Sequence, residues 1–218
     1  MKIGIIGAGN IGGTLTRRLT ALGHDVSVAN SGSPETLADL ATETGATAAT
    51  AENAVDGAEL VVLAIPVARV PELLGGLFDP TAPGAPIVDT GNYCPNGDAQ
   101  IAEIEDGLPG SRWVEQQLDR PVIKAFNTIR AQNLLERGRE AGSAGRIALP
   151  VAGDDPAAKQ AVTRLVEELG FDAIDAGGLD ESWRHQPGTP AYGADLDSDN
   201  LRRALAQAGP ARPDAPRG

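Results

Sequence analysis

The sequence predicts an α/β fold in which helices flank a doubly wound parallel sheet, and three observations support it. Short apolar runs alternate with amphipathic stretches along most of the chain. The run at 60–65, Leu-Val-Val-Leu-Ala-Ile, is apolar on both faces, as a central parallel strand covered by helices must be. The first apolar run ends in a glycine-rich turn that leads directly into an amphipathic stretch. Together these features predict a Rossmann-type sheet followed by a small C-terminal α/β lobe.

The predicted elements follow one another with short connections. Strands are expected at 2–6, 25–29, 60–65, 86–89, 121–125, 146–152 and 172–176. Helices are expected near 11–22, 34–44, 51–56, 67–77, 112–118, 130–139, 155–169 and 198–208. The helix at 155–169 follows Asp155 and Pro156 and ends at Gly170, which are typical start and stop signals. The predicted units are a dinucleotide-binding domain at 1–128, a small lobe at 129–208 that completes the cleft and forms a dimer contact, and a proline-rich, disordered tail at 209–218.

Composition restricts the partners of the chain. A formal net charge of −12 argues against nucleic acid and anionic membranes, because both attract basic surfaces. No apolar run approaches the length of a membrane-spanning helix, and Met1-Lys2 leads straight into a strand, so we expect no signal peptide and a cytoplasmic location. A single cysteine, Cys94, excludes an internal disulfide framework, and two histidines leave no zinc constellation. The expected partner is a small molecule.

Residues 7–12 form a G-x-G-x-x-G pattern between a strand and a helix, which predicts a dinucleotide-binding turn. Gly7 allows the tight turn, Gly9 lets the backbone approach a pyrophosphate, and Gly12 lets the helix pack against the strand. The N–H groups at the helix start would then face the phosphates. The alternative is a glycine-rich turn with no ligand. The residues predicted to cradle the pyrophosphate are Gly7, Ala8, Gly9, Asn10, Ile11 and Gly12.

The end of the second strand favours NADP over NAD. NAD enzymes usually place Asp or Glu here to bind the ribose hydroxyls. This chain has Asn30, Ser31 and Ser33 instead, which can donate hydrogen bonds and do not repel a 2′-phosphate. No arginine lies in the loop, so the expected cationic partner is missing. Ser33 also fits the N-cap position before Pro34, which is the alternative explanation for that residue.

Four segments together resemble the F420-dependent NADP oxidoreductase family. They are the opening at 2–12, Ala29-Asn30-Ser31, Ala64-Ile65-Pro66, and Val-Ile-Lys-Ala-Phe-Asn-Thr at 122–128. The resemblance covers about residues 2 to 195, and the domain is also similar to the reductase module of STEAP metalloreductases. It implies NADP(H), hydride exchange with the deazaflavin coenzyme F420 or a flavin, and a homodimer. Many relatives have arginine after the serine of the second segment, where this chain has Gly32.

The resemblance also implies a nicotinamide cleft at the carboxyl edge of the sheet. Besides the glycine turn and the loop at 30–33, the cofactor-binding residues it implies are Ala64, Ile65, Pro66, Asn92, Lys124, Ala125 and Asn127. The substrate-binding candidates are Arg69, Asn127, Trp183 and Arg184. Arg69, Arg130 and Arg184 are the arginines considered for the acidic tail of F420. The segment at 182–192 is alternatively a dimer contact or a loop packed over an edge strand.

Hydride transfer between two stacked rings needs orientation and exclusion of water, without a general acid or base. Reduction of an imine or carbonyl compound, as in pyrroline-5-carboxylate reductases, is the alternative and would need a proton donor. Lys124, Tyr93, His185 and Tyr192 are the donors available. Lys124 would have a lowered pKa if buried, or would pack under the cofactor or pair with a carboxylate. His185 is expected at a surface or interface. A second alternative is a sensor that binds NADP(H) without turnover.

Overall fold

Six parallel strands form the larger sheet of the chain. The structure is a computed structural model that describes residues 1–94 and 100–209. The six strands are β1 Lys2–Ile6, β2 Asp25–Ala29, β3 Thr47–Ala48, β4 Leu60–Leu63, β5 Ile87–Asp89 and β6 Val122–Lys124. Their spatial order is β3-β2-β1-β4-β5-β6, so the chain winds outward from β1 in one direction and then in the other. The predicted Rossmann-type, doubly wound α/β fold is confirmed.

Helices cover both faces of this sheet. The α-helices are α1 Asn10–Ala21, α2 Ala38–Thr44, α3 Ala51–Val55, α4 Ala102–Glu105, α5 Gly110–Leu118, α6 Ala131–Glu136, α7 Pro156–Glu168 and α8 Ser198–Gln207, and the 3₁₀ helices are Pro34–Leu37, Val67–Glu72 and Leu179–His185. Successive residues of β4 are buried on opposite faces. Val62 packs in a cluster with Leu15 of α1, while Val61 packs in a cluster with Val114 of α5. This double burial explains why the strand is a continuous apolar run.

A second sheet of two parallel strands, β7 Ala148–Val151 and β8 Asp172–Asp175, follows the larger one. Helix α7 connects them, so the two strands and the helix form a βαβ unit. The Asp155 carboxylate accepts hydrogen bonds from two N–H groups in the first turn of α7, at 2.8 and 2.9 Å. Gly170 follows the helix with a φ of 91°, a conformation that glycine adopts easily. The predicted start and stop signals of this helix are therefore confirmed.

The two sheets are joined by backbone hydrogen bonds. The Lys124 N–H donates to the Ala152 carbonyl at 2.7 Å, and the Ala152 N–H donates to the Lys124 carbonyl at 3.0 Å. This antiparallel bridge attaches the segment after β7 to the outer edge of β6. Leu134 of α6 shares a core cluster with Leu15 of α1, so residues on both sides of position 128 pack together. The domain boundary after residue 128 stays a prediction.

Short elements are where the structure differs from the sequence-based prediction. The predicted helix at 67–77 is a 3₁₀ helix over Val67–Glu72, because Pro71 lies inside it and has no N–H for an α-helical ladder. Strand β3 and helix α4, with two and four residues, were not predicted, since neither is long enough to show a periodic pattern. Residues 210–218 of the predicted tail lie outside the described residues. None of the described helices is long and apolar enough to span a membrane.

Candidate functional site

The glycine turn between β1 and α1 combines two crowded positions with one open position. Gly7 has a φ of 105°, and a Cβ atom there would lie 2.3 Å from the Ala64 carbonyl oxygen. A Cβ atom at Gly12 would lie 1.8 Å from the Gly7 carbonyl oxygen. Glycine is therefore required at position 7 by packing against Ala64, directly after β4, and at position 12 by the close approach of α1 to the turn. A Cβ atom at Gly9 would meet nothing within 4 Å, so the surface above this residue is open.

The start of α1 has free hydrogen-bonding capacity beside that open surface. Gly9 is the N-cap of the helix and has no side chain to bond the N–H groups of the first turn. No acidic residue lies in this turn. Asn10 is exposed, and Ala8 and Ile11 are half-buried. A ligand with a pyrophosphate group fits this cradle, since the unpaired N–H groups and the positive end of the helix dipole both attract an anion.

The loop after β2 is shaped by Asn30. Its Oδ1 accepts the Gly32 N–H at 2.8 Å, and its Nδ2 donates to the Thr36 hydroxyl at 3.0 Å. Ser33 occupies the N-cap position, but its hydroxyl makes no capping hydrogen bond. That hydroxyl instead keeps the pKa of Glu35 below its ordinary value by donating to the carboxylate. Glu35 thus brings a negative charge to the loop, which weakens the electrostatic case for a 2′-phosphate at Ser33.

Ser31 is exposed in the same loop. It follows Asn30, the residue directly after β2, at the carboxyl end of the sheet where ligands bind in this class of fold. Ser31 is therefore accessible at the edge of the sheet where the adenosine ribose was predicted to bind.

The end of β4 forms a wall next to the glycine turn. The Ala64 N–H donates to the Ile6 carbonyl at 2.8 Å, and Ile65 is half-buried beside Gly7. Pro66 is exposed and precedes the 3₁₀ helix Val67–Glu72. In that helix the Arg69 guanidinium pairs with the Glu72 carboxylate at 2.6 Å, and both side chains are more than half exposed. The charge of Arg69 is thus balanced locally.

Lys124 and Asp89 form a buried ion pair where β5 and β6 end. Both residues are 2% exposed, and Lys124 Nζ lies 3.0 Å from Asp89 Oδ2. The ammonium group also donates to the Gly91 carbonyl. The carboxylate accepts the Ser111 hydroxyl at 2.7 Å and the Gly91 N–H at 2.8 Å. Lys124 is therefore paired with a carboxylate, which is one of the alternatives predicted for this residue.

A second polar unit joins three side chains at the same edge. Asn127 Nδ2 donates to Asn92 Oδ1 at 3.0 Å and to the His185 carbonyl at 2.7 Å. Asn92 Nδ2 donates to the Asn127 carbonyl at 2.9 Å, and His185 Nδ1 lies 2.9 Å from Asn127 Oδ1. His185 is 0% exposed, so the prediction that it lies at a surface or interface is wrong. Burial, helped by the charge of Lys124, lowers the pKa of this imidazole to about 3.

Phe126, between Ala125 and Asn127, has a φ of 61° and is fully buried. A bulky residue in this left-handed region is strained, and such strain often occurs at functional sites. The turn directs Asn127 into the polar unit, while the Ala125 N–H donates to the Asp89 carbonyl at 3.2 Å. Sequence reasoning missed this position, because a left-handed residue after a strand is normally indicated by glycine.

The 3₁₀ helix Leu179–His185 places His185 against Asn127, whereas the side chain of Arg184 extends toward α8. The Arg184 guanidinium pairs with Glu181, lies 5.0 Å from the centroid of the Trp183 ring, and reaches the Leu205 carbonyl at 3.4 Å. It lines a cavity of about 370 Å³ with residues of β8 and α8. Among the described residues, Arg184 therefore contacts its own 3₁₀ helix and α8, and none of these contacts is with Asn92 or Asn127.

The other predicted proton donors differ in their exposure. The Tyr93 side chain is 8% exposed, and its hydroxyl donates to Glu105 and accepts the Ile101 N–H. Tyr192 is 38% exposed. Burial and nearby Cys94 raise the pKa of this phenol, against an opposing effect of Arg130.

Arg112 of α5 fastens the 3₁₀ helix Leu179–His185 to the rest of the molecule. Its guanidinium donates to Asp180 at 2.8 Å, to Asp154 at 2.9 Å, and to Glu115. Asp154 also accepts the Leu179 N–H at 2.9 Å, and this bond is the main cause of its lowered pKa. The helix that supplies His185 is thus held by charge as well as by packing.

Comparison with known proteins links this geometry to a family. Residues 2–93 match the family model described as NADP oxidoreductase coenzyme F420-dependent. The protein YjhV of Escherichia coli strain K12 is 48% identical over 73 residues, which are 33% of this chain and 53% of that protein. The match thus spans about half the length of this curated relative.

Two crystal structures are similar over most of the chain. Protein SMa0349 of Sinorhizobium meliloti is 28% identical, covers 91% of this chain and 96% of its own, and has a TM-score of 0.73. A candidate F420-dependent NADP reductase of Arthrobacter sp. FB24 is 27% identical, covers 82% and 86%, and has a TM-score of 0.64. More distant dehydrogenase, imine reductase and pyrroline-5-carboxylate reductase structures, at most 19% identical, share the fold alone.

Proposed function

We propose that the chain transfers hydride between NADPH and a deazaflavin or flavin, because residues 2–93 match the coenzyme F420-dependent NADP oxidoreductase family. The resemblance predicted from the sequence is confirmed by that family match. The family match and the similar Arthrobacter structure support an NADP-dependent oxidoreductase. We propose in addition that the hydride acceptor is F420 or a flavin.

The observation that carries the proposal is the contrast within the glycine turn. Gly7 and Gly12 are required by packing, whereas the surface above Gly9 is open and lies beside the first-turn N–H groups of α1, which the N-cap residue does not bond through a side chain. Packing gives no reason for glycine at position 9, but close approach of a pyrophosphate does. A dinucleotide held there would extend along the carboxyl edge of the sheet toward Ile65 and Asn92.

The polar groups of the cleft suit a reaction that needs no proton donor. A nicotinamide supplies hydride when bound. Lys124 is bonded to Asp89 and Gly91, and the buried imidazole of His185 is neutral at ordinary pH. Tyr93 is bonded to Glu105. Three of the four predicted proton donors are therefore engaged with protein groups, which favours ring-to-ring hydride transfer over imine or carbonyl reduction.

The nucleotide site is tested by exchanging Gly9 for leucine. The new side chain points into open space, so we expect a folded variant whose affinity for NADPH falls on the order of 100-fold, because two or more charge-assisted hydrogen bonds to phosphate are lost. Gly75→Leu is the matched control, since a Cβ atom there also meets nothing within 4 Å. Isothermal titration calorimetry measures both. Unchanged affinity in the Gly9 variant would remove the pyrophosphate assignment.

The acceptor is tested by mixing the protein with NADPH and oxidised F420, with FMN and FAD in parallel, and following the absorbance bands of NADPH and F420. Rapid loss of the F420 band supports the deazaflavin, and loss with flavins alone supports a flavin reductase. Binding of NADPH without turnover of any acceptor would leave the imine or carbonyl reductase and the non-catalytic sensor.

A cytoplasmic homodimer is also part of the proposal, and light scattering measures its mass.

A further inference from the structure

The side chains of Asn92, Asn127 and His185 form a hydrogen-bonded unit whose donor and acceptor directions are determined by backbone carbonyls. The His185 carbonyl can only accept, so the amide atom 2.7 Å from it is Asn127 Nδ2. The other amide atom, Oδ1, then faces His185 Nδ1 at 2.9 Å. Because an amide oxygen only accepts, His185 carries its hydrogen on Nδ1.

The direction of the Asn92 amide follows in the same way. The Asn127 carbonyl is 2.9 Å from Asn92 Nδ2, and Asn92 Oδ1 accepts from Asn127 Nδ2 at 3.0 Å. Both N–H groups of Asn127 are therefore used within the protein, and it has none left for a ligand. Within the described residues, Asn92 keeps one N–H and one lone pair without a partner, and the residue is half-buried. Of these three residues, Asn92 is the one that can still form both a donor and an acceptor hydrogen bond through one side-chain amide.

A primary carboxamide such as that of nicotinamide presents the complementary donor and acceptor. We propose that Asn92 binds the nicotinamide carboxamide and that His185 is a positioning residue. Its backbone carbonyl and its Nδ1–H together hold the Asn127 amide, and through Asn127 they keep the Asn92 amide in the matching direction. This inference rests on the proposed function, because it requires a nicotinamide in the cleft. A reversed Asn92 amide would place like groups against each other at the Asn127 contacts.

The inference is tested with His185→Phe, which keeps the buried apolar volume and removes the Nδ1–H. Ser182→Ala is the matched control, because it lies on the same 3₁₀ helix and its buried hydroxyl has no hydrogen-bond partner among the described residues. Dissociation constants are measured for NADPH and for 2′-phosphoadenosine diphosphoribose, the same nucleotide without its nicotinamide. We expect His185→Phe to weaken NADPH about tenfold, as expected for one or two misdirected hydrogen bonds, with the truncated nucleotide unchanged.

The outcomes separate the two proposals. If the wild-type protein binds neither nucleotide, the proposed function fails. If the wild-type protein binds both and His185→Phe keeps its affinity for NADPH, the positioning role is refuted and the proposed function stands. Equal losses of affinity for both nucleotides in His185→Phe would also refute the role. Such losses would not depend on the nicotinamide and would indicate a general loss of structure.

A measurement on the wild-type protein covers the case in which His185→Phe does not fold. The chain has two histidines, so ¹⁵N-histidine labelling gives two imidazole rings, which a His24→Gln variant assigns. We expect the His185 ring to be neutral with its hydrogen on Nδ1 from about pH 5 to pH 8. A hydrogen on Nε2, or a ring that titrates in this range, would overturn the proposed direction of the Asn127 amide.

Discussion

Acidification should destabilise the folded protein through His185 before it affects the carboxylates. The pKa of this imidazole is about 3 in the fold and 6.5 in the unfolded chain. Below pH 6.5 the unfolded chain binds a proton that the folded chain does not, so the free energy of unfolding falls as the pH is lowered through this window. One proton corresponds to about 1.4 kcal/mol per pH unit. Between neutral pH and pH 4.5 the expected loss is therefore about 2 to 3 kcal/mol.

Urea denaturation followed by tryptophan fluorescence at a series of pH values measures this loss. Above about pH 5.5 only about one glutamate in ten is protonated even in the unfolded chain, so the imidazole dominates that part of the profile, where it accounts for about 1 kcal/mol of the expected loss. His185→Phe should flatten the profile there, and Ser182→Ala should keep it. A wild-type loss below about 0.5 kcal/mol, or an equal slope in His185→Phe, would refute the assignment of a buried neutral imidazole.

Three further perturbations test separate parts of the structure. Lys124→Met leaves the Asp89 carboxylate buried without its cation, so denaturation should show a loss of about 3–5 kcal/mol, and a loss below about 1 kcal/mol would contradict the buried ion pair. Arg112→Gln removes the cation shared by three carboxylates, so amide hydrogen exchange at 179–185 should become faster, and unchanged exchange would show that packing alone holds this helix. Ser31→Asp should weaken NADPH far more than NADH in a titration, whereas equal losses would put nucleotide discrimination elsewhere.

The sheet and the glycine turn could be predicted because their signals are local. The double-sided apolar run at 60–65, the spacing of Gly7 to Gly12 and the cap at Asp155 each lie within one short stretch of sequence. The structure of the loop at 30–33 could be predicted only in part. Its residue types indicate hydrogen-bond donors, but the turn made by the Asn30 amide and the position of Glu35 depend on how the loop folds back on itself.

The centre of the cleft could not be predicted to the same depth, because its contacts join distant parts of the chain. His185 meets Asn127 across 58 residues, and its burial depends on the docking of a 3₁₀ helix that has no strong periodic pattern. The left-handed conformation of Phe126 carries no signal in the sequence. Lys124 was recognised as important, but the choice between a proton donor and an ion-pair partner required the position of Asp89.

The bridge between Lys124 and Ala152 has a consequence for how copies of the chain behave toward each other. An exposed strand edge offers unpaired N–H and C=O groups that can recruit a strand from another molecule and start aggregation. Here the outer edge of β6 is already paired by that bridge, and β3 at the opposite edge has only two residues. Neither side of the six-stranded sheet offers a long template, so the sheet is protected against edge-to-edge growth in a crowded solution.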